Sequence, residues 1–161
     1  MFNLRTESYL KLIFVVSLIS LISAYFIEYF LGHQPCNLCL LERIPYALSI
    51  IFIIINLFLN KNHKFLILLL TILFIFSFLI STYHFGIEQG YFKESTICGL
   101  KNSSEIISKE EILKQLSEKV VSCKDVTFRF FGLSLTSINM LISLIIIIFS
   151  INILNKYAKI R

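Results

Sequence analysis

Four cysteines are the residues of this sequence best suited to chemistry, and two of them lie close together in the chain. Cys36-Asn37-Leu38-Cys39 is a C-x-x-C motif. When one of its cysteines begins a helix, this spacing allows a small, strained disulfide to close, and such a disulfide is reactive. The motif occurs both in redox sites and in metal sites, so its surroundings must distinguish the two.

Zinc binding is the first alternative for the motif. A tetrahedral zinc site requires a second C-x-x-C pair or nearby histidines. Here Cys98 and Cys123 are separated by 24 residues, and His33 is the only histidine close to the motif in the chain. We therefore expect redox chemistry and no metal site.

Arg43 follows Cys39 by four residues. If a helix begins near Pro35, this spacing places the guanidinium and the thiol on one helix face. The positive charge and the helix N-terminus would both lower the pKa of a cysteine. An interfacial anchor that bonds a headgroup phosphate is the alternative role, and Arg43 alone does not decide between them.

Cys98 and Cys123 could form a purely structural disulfide. Closing a loop of this length would stabilise the fold by about 3.5 kcal/mol in the chain-entropy model. The alternative is electron transfer between the two pairs, because a thiolate of one pair can attack the disulfide of the other. The presence of a C-x-x-C motif in the same compartment favours this second interpretation.

Four long uncharged runs must position these cysteines. The chain is 57% hydrophobic, which excludes an ordinary water-soluble globule, and a bilayer core requires roughly 20 helical residues per crossing. The apolar runs are continuous instead of alternating, which excludes a lipid-facing barrel. We predict an all-α integral membrane protein, an antiparallel four-helix bundle forming one domain over residues 1–161. Its expected spans are approximately 9–31, 41–60, 65–86 and 130–154, with external loops at 32–43 and 87–129.

Basic residues indicate the orientation. The N-terminus, the tight turn at 61–64 and the C-terminus carry seven Lys and Arg residues against one acid, so this side is expected to be cytoplasmic. All four cysteines then lie outside, where disulfides persist. The net charge of +5 is explained by this orientation and by anionic headgroups, since no basic patch suited to nucleic acid is present. In the second external loop, a capping box at Ser108 and Glu111 predicts a short amphipathic helix over 109–121.

The run from Pro35 to Arg43, PCNLCLLER, resembles the first external loop of the disulfide bond formation protein B (DsbB) family. Tyr83-His84-Phe85-Gly86 at the end of the third span and Phe131-Gly132-Leu133-Ser134 at the start of the fourth are also similar to that family. The resemblance therefore covers nearly the whole chain. Phe85 stands where the family leads us to expect tryptophan, which retains aromatic character.

The resemblance implies a set of roles. Members of the family take electrons from a periplasmic thioredoxin-fold oxidant and pass them to ubiquinone or menaquinone in the bacterial inner membrane. Carried over, Cys98 would form the mixed disulfide with the partner, Cys123 would exchange with Cys36, and Cys39 would face the quinone. Arg43 and His84 are the implied quinone-binding residues, with helix packing as the alternative role for His84.

The expected function is thus that of a quinone-dependent thiol oxidase. One alternative is a membrane reductase that passes electrons in the opposite direction. Another is a non-enzymatic four-span scaffold or transporter with two structural disulfides, although Pro45 is the only proline within a span.

Overall fold

Four long helices make up most of the structure, a computed structural model that describes residues 2–59, 63–93, 98, 122–124, 129–130 and 132–159. Each helix is long and apolar enough to cross a membrane, which confirms the predicted all-α membrane bundle. A two-residue antiparallel strand pair precedes the last helix, with Arg129 opposite Ser134. In chain order the elements are α1 (Phe2–Tyr29), α2 (Asn37–Leu59), α3 (His63–Glu88), β1 (Arg129–Phe130), β2 (Leu133–Ser134) and α4 (Leu135–Lys159).

Side-chain contacts fix the helices as antiparallel neighbours. Tyr9, near the start of α1, donates a hydrogen bond to the Ile146 carbonyl oxygen at 2.9 Å and lies 2.6 Å from the Ser150 hydroxyl, in the second half of α4. Glu28, at the end of α1, forms an ion pair with Arg43 near the start of α2. The start of α1 therefore lies beside the second half of α4, and the end of α1 lies beside the start of α2.

Two kinds of contact hold the bundle together. Its apolar centre is built on fully buried side chains such as Ile13, Ile67, Leu70 and Phe74. Pairs of buried serines also join the helices: Ser17 of α1 lies 2.8 Å from Ser49 of α2, and Ser77 of α3 lies 3.1 Å from Ser143 of α4. Small hydroxyl side chains allow helices to approach closely and satisfy each other's polar atoms in lipid. Large apolar side chains cover the outer face, including Ile19, Phe58, Phe76 and Phe149.

Two helix starts bear on the chemistry of the chain. α2 begins at Asn37, four residues before the expected span, and Arg43, paired with Glu28, lies within the helix. Cys39 consequently lies in the first turn of α2. α4 begins at Leu135, after the strand pair, instead of at residue 130. The amphipathic helix expected over 109–121 lies outside the described residues.

Candidate functional site

Cys36 and Cys39 meet at the start of α2. Both are free cysteines, their sulfur atoms lie 2.9 Å apart, and the Cys39 amide donates a hydrogen bond to the Cys36 sulfur at 3.3 Å. The contact with the Cys39 thiol is the main cause that holds the pKa of Cys36 below its ordinary value; burial opposes this shift, and His84 adds to it. Cys36 is therefore suited to react as a thiolate.

His84 lies against this thiol pair from α3. Its Nε2 is 3.5 Å from the Cys36 sulfur, and its side chain is only 2% exposed. On the other side of the ring, Nδ1 lies 3.0 Å from Glu42 Oε1 and 3.3 Å from the Thr136 hydroxyl. When the carboxylate accepts the Nδ1–H hydrogen bond, the other ring nitrogen is left facing the thiol. A Cys-His-Glu chain of contacts thus leads from the motif into the bundle.

Glu42 is held by further polar groups from the other helices. Its Oε2 accepts a hydrogen bond at 2.9 Å from the side-chain amide of Asn139 in α4. The same amide donates to the Ser81 hydroxyl of α3 at 2.6 Å, and Tyr46 of α2 donates to the Asn139 carbonyl oxygen. The carboxylate is therefore fixed by groups from three helices. Glu42 was not singled out in the sequence, although an ionisable residue within an apolar span is a signal of function.

Glu88, the last residue of α3, approaches His84 from the side of the thiol-facing nitrogen. Its Oε1 accepts a hydrogen bond from the Thr136 hydroxyl at 2.7 Å and lies 4.0 Å from His84 Nε2. Its side chain is 6% exposed. Among the described residues, no hydrogen-bond partner reaches its buried second oxygen, Oε2. A buried carboxylate oxygen in this position is costly unless something binds it.

Arg43 occupies a different side of the motif, between α2 and α1. It forms an ion pair with Glu28, and its guanidinium carbon lies 5.0 Å from the centre of the Tyr25 ring. Both charged side chains are largely buried against protein. The sequence predicted that Arg43 shares a helix face with Cys39, and the helix that begins at Asn37 contains both residues at the i,i+4 spacing. Glu28, its partner, was not singled out in the sequence.

The second cysteine pair is a disulfide that packs on the first. Cys98 and Cys123 are bonded, with Cα atoms 5.6 Å apart. Both are buried in an apolar cluster that also contains Cys36, Leu38 and Ile87, with Cys39 packed against it. The tertiary structure thus places all four cysteines at one end of the bundle. The disulfide itself is closed to solvent, since Cys98 is 0% and Cys123 is 2% exposed.

Two kinds of bound group are compatible with these residues. The ligand atoms of Cys36, Cys39 and His84 lie within 4.8 Å of one another, which is compatible with a metal ion. Arg43 offers guanidinium donors suited to a carbonyl oxygen. The exposed apolar side chains at this end of α1 and α2 could contact an apolar ring compound in the membrane. They are Phe26, Phe30, Leu40 and Ile44. Both nitrogens of His84, in contrast, face protein groups.

Comparison with known proteins places the chain in a family. The family model described as "Disulfide bond formation protein DsbB" matches residues 6–153, which include the C-x-x-C motif, His84 and both cysteines of the disulfide. An uncharacterized protein of Rickettsia prowazekii (strain Madrid E) is 31% identical over 136 residues, covering 83% of this chain and 79% of that protein. With four membrane-spanning helices and two adjoining cysteine pairs, the chain belongs to the DsbB family of membrane proteins that act in disulfide bond formation.

Proposed function

We propose that this protein is a quinone-dependent thiol oxidase that reoxidises a thioredoxin-fold disulfide donor. The observation that carries the proposal is the packing of the Cys98–Cys123 disulfide in the same apolar cluster as Cys36, with Cys39 against it. Thiol-disulfide exchange requires the attacking sulfur to reach the disulfide it attacks. Two pairs that share a cluster need only local movement to do so.

The proposed relay conserves two electrons at each exchange. A thiolate of the reduced partner attacks Cys98, the Cys98–Cys123 bond breaks, and Cys123 leaves as a thiolate. Cys123 then attacks Cys36 of the oxidised motif, which releases the Cys39 thiolate. The partner's second thiolate then attacks the mixed disulfide with Cys98, so that the partner leaves with a new disulfide and Cys98 is released as a thiolate. Cys98 attacks Cys123 in the Cys36–Cys123 disulfide and releases the Cys36 thiolate.

His84 and Glu42 have defined roles in this scheme. His84 Nε2 faces the Cys36 sulfur, so it can accept the thiol proton when the motif is reoxidised. Glu42 orients the ring through Nδ1 and stabilises the imidazolium that results. Glu42 is therefore a positioning residue that acts through His84.

Arg43 is the residue that best fits a quinone, because it follows Cys39 by one turn of α2, at a helix end that carries exposed apolar side chains. A bound quinone supplies the two-electron acceptor that lets the motif return to its disulfide. Glu28 and the Tyr25 ring hold the guanidinium in place. A contact of His84 with the quinone, which the resemblance implied, stays a prediction.

The burial of Cys98 sets a condition on the partner. A sulfur with no exposed surface cannot be attacked by a soluble protein, so docking of the partner must first expose Cys98. We propose that the cysteine end faces the periplasm of a bacterial inner membrane, with both termini in the cytoplasm. The other end carries seven Lys and Arg residues against one acid, whereas the eight at the cysteine end are spread over longer loops, and this difference supports the orientation.

A non-enzymatic scaffold with two structural disulfides is the competing function. The C-x-x-C motif argues against it, because its two thiols are free and lie beside a buried His-Glu pair. A purely structural disulfide needs neither a general base nor a thiol with a lowered pKa. A reductase running outward would use the same residues, and the direction depends on the reduction potentials of the pairs.

The test is a reconstituted reaction. The full-length protein in lipid nanodiscs is mixed with a reduced thioredoxin-fold oxidant and a soluble ubiquinone analogue, and quinone reduction is followed by absorbance. We expect turnover for the wild type and none for Cys39→Ser or Cys123→Ser. Mixed with the oxidised partner instead, Cys123→Ser should form a mixed disulfide, because the free Cys98 thiolate attacks the partner's disulfide and one partner sulfur leaves as a thiolate. Wild-type protein that forms no mixed disulfide and reduces no quinone would exclude the thiol oxidase.

A further inference from the structure

We infer that the reduced protein has a second property, binding of a thiophilic divalent cation such as Zn²⁺ at the motif. The ligands are Cys36, Cys39 and His84, whose ligand atoms lie within 4.8 Å of one another. Glu88, with its Oε1 4.0 Å from His84 Nε2, is the candidate fourth ligand. The sequence disfavoured zinc because His33 was the only histidine near the motif in the chain. The fold instead brings His84 of α3 to the thiols.

The distances suit a metal ion. With Zn–S near 2.3 Å and Zn–N near 2.0 Å, two ligand atoms of a tetrahedral zinc are about 3.5 Å apart for sulfur and nitrogen and about 3.8 Å apart for two sulfurs. Cys36 Sγ and His84 Nε2 are already 3.5 Å apart. The two sulfurs are 2.9 Å apart, so they need to separate by only about 0.9 Å.

Glu42 orients the histidine as metal sites require. A histidine that binds a metal usually donates its other N–H to a carboxylate, which fixes the ring and makes the ligating nitrogen more basic. Glu42 Oε1 lies 3.0 Å from His84 Nδ1 in this arrangement, and Asn139 holds the other carboxylate oxygen at 2.9 Å. The imidazole is thus fixed before any cation arrives.

Glu88 provides an independent indication of a missing ligand. Its carboxylate is buried on the Nε2 side of His84, and its Oε2 has no hydrogen-bond partner among the residues that the structure describes. Buried carboxylate oxygens are normally hydrogen-bonded or bound to a cation. Glu88 lies outside the group of ligand atoms that meet within 4.8 Å, so its carboxylate has to move toward the thiols to complete a tetrahedral donor set.

Binding depends on the redox state of the motif. Zn²⁺ would replace the two thiol protons, forming two Zn–S bonds and releasing two protons without any electron transfer. A Cys36–Cys39 disulfide has no thiolate to offer, so the oxidised protein should not bind. Since the bound metal occupies both sulfurs, it would also block thiol-disulfide exchange until it is removed.

Co²⁺ is the spectroscopic probe for this site. The experiment uses the full chain carrying Cys98→Ser and Cys123→Ser, so that the motif supplies the only thiols, in nanodiscs and reduced with a phosphine. We expect one Co²⁺ per chain, with a thiolate-to-metal charge-transfer band, the intense visible bands of tetrahedral geometry, and displacement by Zn²⁺. The same protein with the motif oxidised should show none of these bands, a comparison that needs no further variant.

Single substitutions test the individual ligands. His84→Ala should weaken Co²⁺ binding by more than about 100-fold, and Glu42→Gln by about 10- to 100-fold. Glu88→Gln should also weaken binding and change the visible bands, while His33→Ala is the matched control that should leave both unchanged. Zn²⁺ should in addition protect the reduced motif from alkylation until a chelator is added.

Three results would overturn the inference. They are octahedral bands without charge transfer, equal binding by the oxidised and reduced motif, and equal affinity in His84→Ala and wild-type backgrounds. None of these measurements uses a quinone or a partner protein, so a failed metal site and a failed thiol oxidase remain distinguishable.

Discussion

Glu42 of α2 and His84 of α3 lie 3.0 Å apart, Oε1 to Nδ1, directly behind the reactive motif. The pair is buried, and Asn139 of α4 donates to the other carboxylate oxygen of Glu42. His84 Nε2 faces Cys36, so the imidazole lies between the carboxylate and the thiol. This relationship connects the packing of three helices to the chemistry at their end.

Replacing Glu42 tests that connection. Glu42→Gln keeps the size of the side chain but removes the charge that stabilises an imidazolium, so we expect quinone reduction to fall about 10- to 100-fold. Glu42→Ala, which also frees the ring, should lose more. The alkylation rate of Cys36 should fall with turnover in both variants. Glu7→Gln is the control, because Glu7 lies near the start of α1, at the other end of that helix from Glu28 and the motif. Equal turnover in Glu42→Gln and wild type would contradict the positioning role.

Asn139→Leu should destabilise the bundle. The amide of Asn139 donates to Glu42 and Ser81 and accepts from Tyr46, so its loss leaves buried polar groups without partners. We expect a loss of about 1–3 kcal/mol, measured as a lower thermal unfolding midpoint in detergent. Asn152→Leu is the matched control, because Asn152 is an exposed residue of the same helix. A midpoint that shifts equally in both variants would count against the network.

Gly86→Ala should strain the C-terminal end of α3. A methyl group at Gly86 would overlap the ring of Phe92, which stacks on Tyr83 with ring centres 5.7 Å apart. We expect a cost of about 1–3 kcal/mol from overpacking, measured by thermal unfolding. The double variant Gly86→Ala, Phe92→Ala should be less destabilised than the sum of its single changes. Additive losses would show that the two positions do not touch.

Arg43 should affect the quinone step and leave the partner step intact. Arg43→Met removes the guanidinium donors, so the KM for a quinone analogue should rise about 10-fold or more. Arg43→Lys retains the charge but not the planar set of guanidinium donors, so its KM should lie between those of the wild type and Arg43→Met. The rate of mixed-disulfide formation with the partner, measured without quinone, should not change. A similar loss in both assays would mean that Arg43 supports the structure of the motif instead of the quinone.

The relay also constrains the reduction potential of the Cys98–Cys123 pair. If the partner lies near −120 mV, a disulfide below about −300 mV would accept its electrons uphill by roughly 8 kcal/mol. We therefore expect a potential well above −300 mV, measured by equilibration with redox buffers in a Cys36→Ser, Cys39→Ser background. A potential below −300 mV would show that the disulfide is structural and would contradict the relay.

Local patterns predicted the membrane fold because each span is a property of its own residues. The run around Ile50 to Phe58 is apolar enough to form a membrane helix whatever its neighbours are, and α2 and α3 are joined by so few residues that they must pack side by side. The C-x-x-C spacing likewise predicted a pair at a helix start. The ion pair between Arg43 and the distant Glu28 could not be predicted, because it depends on how α1 packs against α2.

The sequence by itself determined that this chain crosses a membrane four times and carries two cysteine pairs at one end, because hydropathy, span length and short connections act locally. The tertiary structure alone decided which polar groups meet those cysteines. His84 is 48 residues from Cys36 and 42 from Glu42, and their contact depends on the rotation and depth of α3 against α2 and α4. Packing sets these quantities over the whole length of the helices, so the residues next to each position in the chain do not reveal them.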